Sequence, residues 1–172
     1  SPTNVYHDKV TQADKDYLQQ DGQLKVAVAE MKYAFMNQTE ALLHGDLHIG
    51  SIMANEEETY MIDPEFAFFG PIGFDVGAFL GNLFLAYFAH EVRQEMLGRE
   101  PFAYRNWILR TAEETWHAFQ HKFEQNWLDH EANNPRSYWS YPDGDIGFAM
   151  QRRKFLSHIF SDTIGFAACK MM

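Results

Sequence analysis

His44-Gly45-Asp46-Leu47-His48-Ile49-Gly50-Ser51, followed seventeen residues after Asp46 by Asp63-Pro64-Glu65, is the stretch on which the reading of this chain turns. It puts three carboxylates on two short, turn-rich loops, each acid embedded among apolar residues and glycine rather than scattered among lysines. Acids in such a setting are costly to bury unless they meet a metal, a proton or a hydroxyl. Ala41-Leu42-Leu43 before the first loop and Ser51-Ile52-Met53-Ala54 after it read as short extended pieces, and Thr59-Tyr60-Met61-Ile62 as another strand beyond the Asn55-Glu56-Glu57-Glu58 turn. The expected product is a hairpin, with Asp46 in the loop entering it and Asp63 just past its far end, so that the carboxylates converge. Asp63 and Glu65 flank a proline that favours an extended path, so both can face one side and offer hard oxygens to Mg2+. Asp46 can then accept or orient a hydroxyl proton.

The rest of the chain reads as helix. Asp14 to Gln20 and Gln23 to Asn37 precede the loops. Phe74 to Ala89 is an apolar run broken chiefly by Asp75 and Asn82. At about sixteen residues it falls short of the roughly 18 to 20 needed to cross a bilayer, so it is expected as a buried helix after Gly73, with Asp75 as its N-cap. Phe102 to Leu128 carries Trp116, Phe119, Phe123 and Trp127 at helical spacing, a packing seam and not a nucleobase platform. Asn133-Asn134-Pro135 and Tyr141-Pro142-Asp143-Gly144 punctuate a loop with Tyr138 and Trp139, suited to a lid or an ordered connection. Asp145 to Lys170 is helical again and contains Arg152-Arg153-Lys154, whose plain reading is a solvated face. The sum is a mainly α (α+β) single domain with one or two small hairpins near residues 41 to 63.

Composition narrows the partners. Fourteen basic against twenty-four acidic residues give a formal charge of -10, which argues against a nucleic-acid surface. An anionic nucleotide would have to be met by local metal and dipoles. The single Cys169 excludes an intramolecular disulfide, and no basic segment followed by an apolar run opens the chain, so a reducing, cytoplasmic setting without a membrane is expected. With 46% hydrophobic and 16% aromatic residues there is material for a substantial core.

His44-Gly-Asp-Leu-His48, Ile62-Asp-Pro-Glu65 and Gly73-Phe-Asp75 together resemble the small-molecule kinases of the aminoglycoside phosphotransferase type, which share the protein-kinase-like fold. In detail the chain is most similar to the methylthioribose kinases, through His44 to Ile52, Asp63-Pro-Glu-Phe-Ala-Phe-Phe-Gly-Pro71 and Asp162-Thr-Ile-Gly-Phe-Ala-Ala-Cys-Lys170. The resemblance runs with gaps from about residue 40 to the C-terminus. It implies transfer of the ATP γ-phosphoryl group to the anomeric hydroxyl of 5-methylthioribose, a step of methionine salvage, with ATP and Mg2+ as cofactors. On that footing Asp46 matches the catalytic aspartate and contacts substrate, and Asp63-Pro64-Glu65 matches the metal and nucleotide motif. Ser51 stands where most relatives carry a metal-binding asparagine, a substitution the methylthioribose kinases share and one that leaves the number of metal ions open. Asp75 matches the aspartate that braces the catalytic-loop backbone, His44 packs within the loop, and His48 either lines the site or braces it. Arg152 and Arg153 match the arginine pair that holds substrate and stabilises the transferring group, a task suited to the guanidinium fork. Lys170 is the other cation considered.

Only forty-five residues precede Asp46, too few for the glycine-rich loop and strand lysine that the resemblance implies. The chain is therefore expected as the C-terminal lobe of a longer enzyme, inert alone and compatible with a homodimer in the full-length protein. Three other readings stay open: another kinase of the same superfamily, a metal-dependent phosphoesterase or hydrolase using His44, Asp46 and His48 on Zn2+ or Mn2+, and a non-catalytic kinase-like binding domain.

Overall fold

The computed structural model describes residues 10–98, 100, 102–133 and 145–172, the side chains of residues 131, 145–148 and 151 excepted. The elements run α1 (Gln12–Gln20), α2 (Gly22–Asn37), β1 (Ala41–Leu43), a 3-10 turn (Ile49–Ser51), β2 (Ile52–Ala54), β3 (Thr59–Met61), β4 (Phe68–Gly70), α3 (Gly73–Met96), α4 (Phe102–Asn133) and α5 (Asp145–Met171). This is the mainly helical architecture expected, with its few strand residues concentrated around the acid-bearing loops. The Tyr138-Trp139 loop lies outside the described residues. Among the described residues no helix is long and apolar enough to cross a membrane.

The strands form two antiparallel pairs. β2 and β3 make the expected hairpin, with Ile52 opposite Met61 and Ala54 opposite Thr59. Its turn is held by Asn55, whose Oδ1 accepts from the backbone N–H of Glu57 at 2.8 Å and of Glu58 at 2.6 Å, the self-bonding that makes asparagine a turn former. β1 does not join that hairpin. It pairs with β4, with Ala41 opposite Gly70 and Leu43 opposite Phe68. The strand at Phe68–Gly70 is hidden in sequence because it is three residues of an unbroken apolar stretch, too short to show alternation.

The core is built on α3. Leu80, Leu83, Ile108, Ala112 and Ala167 are buried together where α3, α4 and α5 meet. Against α5, α3 presents Gly73, Gly77 and Gly81, one turn apart on a single face. A Cβ at Gly73 would run into the Thr163 backbone at 2.7 Å, one at Gly77 would meet the Thr163 carbonyl at 2.5 Å and one at Gly81 the Ala167 carbonyl at 2.9 Å. These glycines therefore read as a close-approach stripe, which lets backbone pack on backbone. Because Gly73 faces Thr163 and Gly81 faces Lys170, α3 and α5 run parallel. The part of α5 before Ile159 consequently projects past the N-terminal end of α3. Arg152, seven residues before Ile159, stands roughly 10 Å along the axis beyond the seam at 1.5 Å per residue.

Aromatic rings seal the remaining faces. Trp116 and Phe119 of α4 both pack on Phe160 of α5, and Trp127 packs on Phe155 with ring centroids 4.9 Å apart. The α4 aromatics thus form a helix-packing seam, and His117 and His121 beside them are exposed. Phe35, Phe68, Phe74 and Phe166 join α2, β4, α3 and α5 at the opposite end.

Candidate active site

β1 delivers the chain into the loop at His44, and α3 holds it there. Asp75 is buried, and its carboxylate accepts from the His44 backbone N–H at 2.6 Å and from the Gly45 N–H at 3.1 Å. It is not the N-cap of α3. The helix begins at Gly73 after Ile72, which provides no side-chain cap, and Asp75 sits in the first turn with its carboxylate turned to the loop. Charge-assisted bonds to two consecutive loop amides take precedence over capping because those amides have no strand partner. Among the acids of the two motifs, Asp75 is the deeply buried one. Asp63 and Glu65 are exposed and the Asp46 side chain is 47% exposed, so the expectation that all the loop acids are embedded does not hold.

His44 links the two acid-bearing loops. Its Nε2 pairs with the Ile62 carbonyl at 2.8 Å and its Nδ1 accepts from the Asp46 N–H at 3.4 Å. This pattern assigns the ring proton to Nε2. Gly45, with φ of 86°, lets the loop pass directly beneath the Phe66 carbonyl, where a Cβ would clash. Ser51 is buried, donates its hydroxyl to the Asp46 carbonyl at 3.1 Å and accepts on its own carbonyl from the Ile62 N–H at 2.9 Å. Its hydroxyl proton is therefore spent on the loop backbone. His48 accepts on Nδ1 from the Gly50 N–H at 2.9 Å and keeps Nε2 3.8 Å from Asp46 Oδ2, so it braces the turn and edges the candidate base together.

Asp63 adopts φ of 67°, a left-handed conformation unusual for a non-glycine residue and more so before proline. The Ala67 N–H bonds to the Pro64 carbonyl at 3.1 Å, closing a turn over residues 64–67. The extended path expected through Pro64 is thus replaced by a bend. Strained backbone of this kind persists where surrounding structure over-determines it, and it gathers at ligand-handling sites. Among the described residues no three His, Cys, Asp or Glu side chains converge to hold a metal. Two exposed carboxylates on a fixed turn suit Mg2+, which takes one or two carboxylates and completes its shell with water and phosphate oxygens. They do not suit a resident Zn2+ site, since both nitrogens of His44 and one of His48 are committed to the backbone.

Arg152 is half-buried and Arg153 exposed on the projecting part of α5, at the end of the helix pair where Asp75 and the loop sit. Lys170 packs its stem on Gly81, at the other end of the seam. Brought together by hydrogen bonds are His44, Asp46, Ser51 and Asp75 with the Ile62 backbone. Sequence reasoning missed Gly45 as the close-approach point beneath Phe66, though a glycine between histidine and aspartate in a tight loop was the available sign.

A family model described as the phosphotransferase enzyme family matches residues 4–107, an interval that contains every one of these loop contacts. The chain belongs to that family. It is 41% identical over 161 residues to methylthioribose kinase 1 of Oryza sativa subsp. japonica, an alignment covering 92% of this chain and 37% of the rice protein. It is also 37% identical over 172 residues to the methylthioribose kinase of Bacillus cereus, covering 99% of this chain and 38% of that protein. The chain thus spans less than two fifths of the length of the curated relatives it matches. For this phosphotransferase-family chain, the matched interval ends before α5, while both longer alignments cover more than nine tenths of it.

Proposed function

We propose that this chain is the catalytic and substrate lobe of a small-molecule kinase that phosphorylates the anomeric hydroxyl of 5-methylthioribose from ATP, in methionine salvage. The nucleotide lobe, with its glycine-rich loop and strand lysine, is assigned to the remaining length seen in the relatives. The observation that carries the reading is the cross-bracing of the two loops. Asp75 fixes the amides of His44 and Gly45, and His44 in turn ties the Asp46 amide to the Ile62 carbonyl, one residue before Asp63. A base and a metal-holding carboxylate are thereby kept in a fixed relation, which is what phosphoryl transfer asks of a protein.

In this mechanism Asp46, open to solvent at the loop's edge, accepts the hydrogen bond of the attacking hydroxyl and takes its proton as the hydroxyl oxygen bonds to the γ-phosphorus and the bond from that phosphorus to the β–γ bridging oxygen breaks, ADP leaving with the electron pair. Asp63 and Glu65 would hold Mg2+ with the nucleotide phosphates. When bound, the ion neutralises charge on the β- and γ-oxygens. Arg152 and Arg153 approach from α5 and hold the sugar and the transferring group, offsetting the acidic loops. In the full-length protein, replacing Asp46 with Asn should lower kcat by about 10² to 10⁴-fold while ATP binding stays nearly constant. Turnover equal to that of the unaltered protein would remove Asp46 from the chemistry.

A further inference from the structure

Outside the loops, one cluster of titratable side chains joins parts of the chain far apart in sequence. The Nε2 atom of His158, on α5, lies 3.4 Å from Glu40 Oε1, 3.5 Å from Asp162 Oδ2 and 3.1 Å from the Gln38 side-chain amide nitrogen. Glu40 stands immediately before β1. Its other carboxylate oxygen accepts from the Ile72 N–H at 3.0 Å, at the start of α3, and its own N–H donates to the Gly70 carbonyl at 3.0 Å. One carboxylate therefore touches the strand that leads to Asp46, the helix start that leads to Asp75, and α5. Asp162 is buried, and its Oδ2, 3.5 Å from His158 Nε2, accepts no hydrogen bond among the described residues.

The position of this cluster along α5 gives it leverage over the candidate substrate residues. Below it, from Ile159 and Thr163 onward, α5 is locked on the glycine stripe of α3 by backbone contact. Above it lies the projecting part with Arg152 and Arg153. On the α4 side this part of α5 is held by Trp127 on Phe155 and by Trp116 and Phe119 on Phe160; on the side facing α2 and β1 the hold is the polar cluster at His158, whose contacts have defined geometry. We infer that His158 is a positioning residue, whose bridge from Asp162 to Glu40 sets the direction in which the Arg152-Arg153 end of α5 leaves the α3 seam.

The bridge needs a proton on Nε2, and the Gln38 amide turned so that its buried, otherwise unpartnered oxygen faces the ring in place of its nitrogen; Nε2–H then points among the Gln38, Glu40 and Asp162 oxygens. The charged and titratable groups around the ring are Glu40 from the β1 side, Asp162 from α5, and Glu30 and Tyr33 of α2, which line the adjoining groove of about 550 Å3 with Gln38 and Ser161.

Hydrogen exchange of the chain, corrected for intrinsic rates, tests this without reference to activity. In His158→Ala the amides of residues 152–158 should exchange about tenfold faster, while those of 163–170, held by the seam, keep their protection. His158→Gln, which retains a side-chain donor, should recover much of that protection. Glu40→Gln keeps an acceptor for the Ile72 N–H but removes the charge beside the ring, so it should accelerate exchange at 152–158 less than His158→Ala does. Uniform acceleration along α5, or unaltered exchange in His158→Ala, overturns the inference. If His158→Ala does not fold, nitrogen NMR of the unaltered ring decides: Nε2 protonated at pH 6 supports the bridge, and Nε2 as the bare acceptor overturns it. The consequence for rate rests on the proposed kinase reading. There, in the full-length protein, His158→Ala should cut kcat/KM for the sugar by about 10- to 100-fold, the scale of a misplacement near 1 Å, with the KM for ATP unchanged. Absence of turnover in the unaltered full-length protein would sink the kinase reading, and the exchange pattern alone would then decide the positioning.

Discussion

The two strand pairs flanking the catalytic loop are built in opposite ways. On one flank, β1 and β4 turn only one face to the protein, with Leu43 7% exposed and Asp75 buried against the loop amides, while Leu42 and Phe69 face outward. On the other, β2 and β3 stand out from the body, with Met53, Tyr60 and Met61 all more than half exposed. Asp46 belongs to the first flank and Asp63 to the second, and the two meet only through His44, Ser51 and the Gly45–Phe66 approach. On the proposed reading, the proton acceptor Asp46 is placed by buried hydrogen bonds to its loop, whereas the ion-holding Asp63 sits on an open turn and carries backbone strain instead.

Substitutions can break that contrast. The largest effect is expected at Leu43, where truncation to Ala should cost about 2–5 kcal/mol, while the same change at Met61 stays within about 0.5 kcal/mol. Urea denaturation measures both, and a Met61→Ala cost approaching that of Leu43→Ala would mean the hairpin is covered after all. Next comes Asp75→Ala, which strands two loop amides and should destabilise by about 2–4 kcal/mol. A loss below 1 kcal/mol would show that the loop holds itself.

Asp63→Gly sharpens the contrast from the other side. Glycine relieves the left-handed strain, worth about 1–2 kcal/mol, at the expense of unfolded-state entropy, so stability should be unchanged or up to about 1 kcal/mol higher. Calorimetric binding of Mg2+ with ATP should fall in the same variant. A clear destabilisation would mean the Asp63 carboxylate supports the fold.

The smallest effect is a pH dependence on the buried flank. Burial raises the Asp162 carboxyl above its usual value, against the attraction of His158 and the Gln38 hydrogen bond and with the help of Glu40. The fold therefore favours the protonated acid, and its contribution is present below the ordinary aspartate pKa of 3.8 and is lost as pH rises through the raised value. Asp162→Asn removes that titration, so its melting temperature relative to the unaltered protein should climb as pH goes from about 4 to 7. A difference that stays flat across that range would place the carboxylate in a more solvated setting than its burial indicates.

How far the sequence disclosed this arrangement varied with distance along the chain. Local signals were legible: the α4 aromatics repeat at helical spacing, the Asn55 turn announces the β2–β3 hairpin, and His44-Gly-Asp announces a tight loop. Non-local partnerships were not. β4 could not be told from its apolar neighbours until β1 lay beside it, and Glu40 and His158 are 118 positions apart with nothing in either neighbourhood to couple them. Asp75 was misplaced by two residues of helix because a cap and a brace share the same residue preference. Gly77 and Gly81 sit inside a long apolar run and give no sign of which helix will lie on them. His158 and Asp162, four apart, were the one local trace of the α5 anchor.

The parallel seam between α3 and α5 makes the latter a lever. Its longer arm is clamped from Ile159 onward and its shorter arm carries Arg152 out by roughly 10 Å, so a tilt of about 5° at the clamp becomes roughly 0.9 Å at Arg152. A single methyl added at Gly73 or Gly77, each of which would meet Thr163 backbone, acts at the clamp and is magnified at the tip. Mutational sensitivity of the arginine pair should therefore be read at two places separated by four helical turns or less: at the arginines themselves, and at glycines that never approach a substrate.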